Sequence, residues 1–468
     1  MTPPRRPCWL PVAGLCVVAC AHAPRSAPSR TAFEARVTLS RDRRALDVSM
    51  CFSGAAPMTL VGSDLDAVTL SPPARVRGRA VETDARGCVR YRFDLEGAGA
   101  WPRRRVARGD AAVVISNRAW LLRPQDRREV RGGEISLALP PGVRAVVPWR
   151  PLGADRYAVD ASLFAWEGYL ALAARDPVTV TTPLARFEVA RVEEGRSDPR
   201  PWLAAAASAV LPLAGGESLG RAQVILDGRG IEPRAPPGFG LSSRGGGRSL
   251  LFVVGRDADG ASISGEWIAV HEMVHMLLPV TRDDDAWLGE GIATYYQEVL
   301  RARAGMITPH DAWANLCSGL AAGARAAGRR TLAEVARGRG EYTRLYWSGA
   351  AVALRADVAL RRRGSSLDEA VRRWRGCCVD APRTWSAMEL VELADRAAGE
   401  RVLAPIAEEA LASRELPGVR EALASLGVAP DGAMIDGPLR AMRDAITAPS
   451  PGSPVAPAAS RAAPRSSR

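Results

Sequence analysis

The chain has 468 residues, 47% hydrophobic and 24% charged, which is the balance of a globular protein and excludes a disordered or fibrous one. That length is more than one ordinary core holds, so two or three domains are expected. The net charge of +12 comes from 63 basic residues that are all Arg, scattered without a sustained block beyond short runs such as Arg103–Arg105 and Arg361–Arg363; it reads as a solvated basic surface, and no nucleic-acid partner is expected.

In chain order, residues 1–20 read as an export signal. Arg5 and Arg6 form a basic start, and the apolar run Trp9–Ala19 is too short to span a bilayer. Val17-Val18-Ala19-Cys20 resembles a bacterial lipoprotein box, which predicts a lipid on Cys20 and an anchored protein of the cell envelope, in the periplasm or outer membrane. The alternative is an ordinary signal cleaved after Ala21 or Ala23, which gives a secreted protein. An Ala/Pro/Ser linker occupies residues 21–31. Segments such as FEARVTL, LDVSMCF, CVRYRFDL and VTVTTPLARFEVARV then predict an N-terminal all-β sandwich over residues 32–195. In an oxidising compartment Cys51 is expected to pair with Cys88, and Cys317 with Cys377 or Cys378.

From Pro201 the pattern becomes mixed α/β. A helical stretch, WLAAAASAVLPL, precedes two strand-like runs, RAQVILD and SLLFVVG, and a mixed α/β domain is expected over residues 196–310. A C-terminal α-helical domain is expected over residues 311–435, and residues 436–468 read as a disordered Pro/Ala/Ser tail.

The stretch WIAVHEMVHMLLP (267–279) carries the chemistry. Two of the chain's four histidines, His271 and His275, stand four apart with Glu272 between them. On a helix, Ile268, His271, Val274, His275 and Leu278 share one side, so both imidazoles can meet one tetrahedral metal ion. Glu272 lies about 100° around the axis, placed to act beside the metal without ligating it. A third histidine in the HExxHxxGxxH pattern would fall at position 281, which is Thr. Downstream, DDDAWLGEGIATYYQEVL predicts a second helix beginning at Trp287 or Leu288, with Glu290 in its first turn. The intervening loop of about eight residues can reach ~26 Å, more than the ~10 Å between packed helices. His271, His275 and Glu290 can therefore share one Zn²⁺, with the fourth position left for water; Asp283–Asp285 and Glu298 are the rival ligands. Thr294, one turn after Glu290, is placed either to orient a ligand or simply on the helix surface. His22 and His310 have no partners in sequence.

HEMVH followed by WLGEGIATYY resembles the gluzincin metallopeptidases, in which HExxH is joined by a Glu in a W-L-x-E-G-x-A context. LYWSGAAVALRADVAL (345–360) resembles their Y-x-x-G helix start, and the order of the C-terminal segments is similar to the glycyl aminopeptidase family. The resemblance implies a thermolysin-like α/β catalytic domain, Zn²⁺ as cofactor and peptide or protein substrates. It also implies that Glu272 is the general base and that Tyr346 stabilises the oxyanion. Ser348 stands where the better-known aminopeptidases have Lys in Y-x-K-G. Residues 238–264 contain no Glu where those enzymes carry an amine-gripping GxMEN-type strand, so exopeptidase specificity is not implied. The expected function is a cell-envelope zinc metallopeptidase; the alternative is a lipid-anchored binding or assembly protein with an inactive peptidase fold.

Overall fold

A computed structural model describes residues 31–449, apart from residues 54–57, 73, 79, 97–105, 127–129, 339 and 382. The export signal, Cys20 and most of the Ala/Pro/Ser tail lie outside the described residues.

The N-terminal region is sheet-rich, as its alternating segments predict. Strands β1 (Thr31–Leu39), β2 (Ala45–Phe52), β3 (Cys88–Asp94) and β4 (Val130–Ala138) form the middle of a seven-stranded sheet. On β3, Val89, Tyr91 and Phe93 point inward and alternate with exposed arginines and Asp94, so one face builds the core and the other meets water. Two four-stranded sheets accompany it, so this region holds three sheets where two facing layers were expected. The register of β2 and β3 sets Cys51 directly opposite Cys88, and the expected disulfide joins them.

A five-stranded sheet follows, ordered β5 (Val178–Thr181), β6 (Arg186–Arg191), β7 (Arg221–Asp227), β9 (Arg248–Val253) and β8 (Phe239–Ser243). β6, β7 and β9 run parallel, and β8 is an antiparallel edge strand. The sequence boundary at 195 gives β5 and β6 to the first domain, but β6 pairs with β7 and its Phe187 and Val189 belong to the second core. Parallel pairing across a long connection leaves no local mark in sequence, which is why the boundary shifts.

Helices α1 (Arg200–Val210), α2 (Trp267–His275), α3 (Ala286–Arg303), α4 (Pro309–Arg325), α5 (Tyr342–Arg361) and α6 (Leu367–Cys378) share one core with this sheet, which α1 and α2 contact directly. One core runs from Val180 to Ile446, so the catalytic and helical regions expected as separate units at 310/311 are continuous. The expected tail also begins too early, because Arg440–Thr447 forms a further helix, α7, whose Ile446 is buried. Cys317 does not pair with Cys377 or Cys378. Its thiol is buried against the Ala429 carbonyl, and Cys377 and Cys378 bond each other at the end of α6. Among the described residues no helix is long and apolar enough to cross a membrane.

Candidate metal centre

Three helices meet at the site, and two glycines let two of them touch. A Cβ on Gly291 of α3 would run into the backbone of Gly349 of α5, and a Cβ on Gly349 would run into the Trp287 carbonyl. This backbone contact brings Glu290, the residue before Gly291, beside Tyr346, which lies one turn before Gly349. The E-G and Y-x-x-G patterns are thus two halves of one crossing.

The expected histidines lie on α2, and the structure brings Glu290 to them. His271 Nε2 lies 3.2 Å from His275 Nε2, and Glu290 Oε2 lies 3.3 Å from each imidazole. A tetrahedral ion with bonds of 2.0–2.1 Å needs ligand atoms about 3.3–3.4 Å apart, so this triangle fits zinc. Among the described residues it is the only His/Cys/Asp/Glu group with its ligand atoms gathered in this way. The rival ligands lie elsewhere. Asp283–Asp285 form a short 3₁₀ turn, and Glu298 binds Arg301 and Asn315. His310 is exposed at the start of α4.

Glu272 and Tyr346 face the same cleft as His275 and Glu290, a cavity of about 450 Å³. Glu272 sits against the edge strand β8, where a Cβ on residue 240 would come within 2.6 Å of its Cγ, so Gly240 makes room for it. Burial pushes the Glu272 carboxyl up to about 7; His271 and the Ser242 N–H pull it down, and Glu290 adds to the rise. A carboxyl there is poised near neutrality, where proton transfer in both directions is easiest. Burial would also raise Glu290, but the imidazoles of His275 and His271 beside it hold it below the usual carboxylate range. The Tyr346 phenol is raised by burial and by the carboxylates of Glu290 and Glu272, and it stays a donor at neutral pH.

Sequence reasoning missed the groups behind the imidazoles. Gln297, not Thr294, orients His271. Its Oε1 lies 2.9 Å from His271 Nδ1, while its Nε2 donates to Glu298 Oε1 at 3.1 Å. Because the amide N–H is committed to Glu298, the amide oxygen must face the imidazole, so Nδ1 carries the proton and Nε2 turns its lone pair to the metal position. Glu298 is held in turn by Arg301 at 2.9 Å and Asn315 at 2.8 Å. Thr294 is buried, and among the described residues its hydroxyl has no hydrogen-bond partner. The signal in sequence was Gln297 standing seven residues, two helical turns, after Glu290 and on its face.

Arg244 was also missed. It donates to the His275 and Leu278 carbonyls at 2.6 Å and to the Val379 carbonyl at 3.1 Å. Burial brings its guanidinium down to about 9, and it closes the C-terminal turn of α2 that carries His275. Glu167, from the N-terminal region, lines the cleft and is engaged by Ser116 and, at 3.0 Å, by Arg118.

This fold and site define a peptidase-type hydrolase of gluzincin character. Residues 278–352 match the family described as M61 glycyl aminopeptidase, a segment that begins just past His275 and contains Glu290, Tyr346 and Gly349. A crystal structure of an aminopeptidase N family protein from Idiomarina loihiensis is similar in fold, with 12% identity and a TM-score of 0.63 over 84% of this chain and 78% of that one. Native leukotriene A4 hydrolase from Saccharomyces cerevisiae aligns with 12% identity and a TM-score of 0.49, over 83% of this chain and 69% of that one. No curated protein sequence matches the chain.

Proposed function

We propose that this chain is a zinc-dependent metallopeptidase of the bacterial cell envelope, with His271, His275 and Glu290 as ligands, Glu272 as general base and Tyr346 as oxyanion donor. The observation that carries the reading is the ligand triangle with 3.2–3.3 Å sides, faced by a carboxyl raised to about 7 and by a phenol.

Zinc, when bound, lowers the pKa of a coordinated water to about 7 and polarises the substrate carbonyl. The chain's own residues do the rest. Glu272 accepts a proton from the attacking water and then returns it to the leaving amine. Burial keeps the Glu272 carboxyl willing to hold that proton between the two transfers. Tyr346, whose hydroxyl hydrogen otherwise rests on Glu290, turns it to the oxyanion. The anchor belongs to the same proposal and is supported by the basic start, the short apolar run and VVAC, the pattern of a lipid-bearing Cys20.

Elemental analysis and a peptide-library digest test the reading together. The parent should hold one zinc per chain and cleave peptides, and His275→Ala should lose both. Stoichiometric zinc in His275→Ala would remove the site from α2. Zinc without turnover of any peptide would favour an inactive binding protein. Mass spectrometry of the mature N-terminus should show a diacylglyceryl thioether on Cys20; a free N-terminus at another residue would overturn the anchor.

A further inference from the structure

Large aromatic side chains left in water need a reason, and here they cluster. Among the described residues, three aromatic side chains remain well exposed: Phe239 at 50%, Trp267 at 39% and Tyr342 at 60%. One lines the cleft of the candidate centre, and the other two each contact a ring of it. Phe239 lies on β8 and lines the cleft with Glu272 and Tyr346. Trp267 opens α2 one turn before His271, with the two rings edge to face at 5.7 Å between centroids. Tyr342 opens α5 one turn before Tyr346, edge to face at 6.4 Å, and Tyr346 is stacked beside His271 at 6.1 Å. Trp267, His271, Tyr346 and Tyr342 thus form a continuous row of rings whose middle is the catalytic centre and whose two ends are exposed.

Packing alone does not require the exposed ends. Trp267 and Tyr342 are the first residues of their helices, where a polar or small residue would satisfy the helix equally well. Orienting His271 is already the work of Gln297. Exposed rings beside a site offer flat apolar area that gains free energy only when covered, and aromatic contacts add to the area term.

We infer that Phe239, Trp267 and Tyr342 form an aromatic rim that selects peptide substrates with aromatic or large aliphatic side chains on the two sides of the scissile bond. The inference rests on the peptidase reading: Phe239 lines the cleft, Trp267 and Tyr342 each contact a ring of the centre, and the occupant is the peptide bound at that centre. Covering one such exposed ring discriminates Phe from Gly at the position beside it by about tenfold in kcat/KM, the factor that about 1.4 kcal/mol supplies.

The test uses the zinc-loaded full chain and neutral peptides of one length with Phe, Leu or Gly beside the cleaved bond. The parent should prefer Phe over Gly about tenfold. Trp267→Ala and Tyr342→Ala should each lower the Phe-to-Gly ratio about fivefold, and Trp267→Phe should restore most of it, at unchanged zinc content. No preference in the parent, or an equal loss on Phe and Gly peptides, would overturn the rim. Zinc lost together with activity in Trp267→Ala, with no recovery of the ratio in Trp267→Phe, would also overturn it and leave the indole as a support for His271. Calorimetric binding of the same peptides to Glu272→Gln separates this inference from the reading beneath it. Tighter binding of the Phe peptide that weakens in Tyr342→Ala supports the rim even where the parent cleaves nothing, and equal binding of Phe and Gly peptides overturns it.

Discussion

The two sides of the metal centre are built from opposite materials. Behind His271 lie Gln297, Glu298 and Arg301, all buried, each hydrogen-bonded to the next and tied off by Asn315 at the edge. In front lie Phe239, Trp267 and Tyr342, exposed rings with few polar partners. The inner side fixes direction, because a buried polar chain tolerates only one arrangement of donors and acceptors. The outer side leaves area to be covered by whatever enters. Position and selection are therefore separable in this molecule, and substitutions can address one without the other.

The largest effect should come where the two sides meet. On the proposed reading, Glu272→Gln removes the base while leaving the three ligands, so turnover should fall about 10²–10⁴-fold with zinc content unchanged by elemental analysis. Loss of zinc in that variant would make Glu272 a ligand and erase the division of labour. Next, Tyr346→Phe should lower kcat about 10²–10³-fold with little change in KM, because the role proposed for the hydroxyl is confined to the oxyanion. A raised KM at constant kcat would move Tyr346 to the selecting side. Gln297→Leu breaks the inner side alone, and chelator competition should show zinc affinity about 10–100-fold weaker. Thr294→Val, which touches neither side's hydrogen bonds, serves as its control.

The smallest effect concerns the metal-free protein. Burial raises the Glu272 carboxyl to about 7, above its value of 4.5 in an unfolded chain, so the folded state holds its proton more tightly. The cost of the ionised form is absent below the unfolded value, grows as pH rises between the two and is complete above about 7. Glu272→Gln should therefore leave stability unchanged near pH 4 and raise it by roughly 2–4 kcal/mol at pH 8, read as urea midpoints of zinc-free protein. A constant difference across that range would mean that the carboxyl does not titrate from a buried position.

How much of this was legible in sequence depends on whether the decisive contact was local. The helix carrying His271, Glu272 and His275 was legible because 3.6-residue periodicity puts both imidazoles on one face before anything else folds. Glu290 was reachable from loop length and the apolar face of α3. The Cys51–Cys88 bond followed from two strand-like segments in one region. Tyr346 came only through a resemblance, since no spacing rule links it to Glu290 across the intervening helix α4.

The sequence by itself determined the local elements: a helix with two imidazoles and a carboxylate, a second helix with Glu290, and alternating strands in the first half of the chain. Tertiary structure alone decided the rest. It gave β5 and β6 to the second sheet, fused the expected catalytic and helical domains into one core, and kept Cys317 apart from Cys377 and Cys378. It also chose Gln297 over Thr294 as the partner of His271 and set three exposed rings around the centre. The physical reason is the range of the interaction. Periodicity and capping act within a turn or two of chain, whereas strand partners, helix crossings such as Gly291 on Gly349 and the direction of a buried amide are fixed by groups brought together only when the whole core closes.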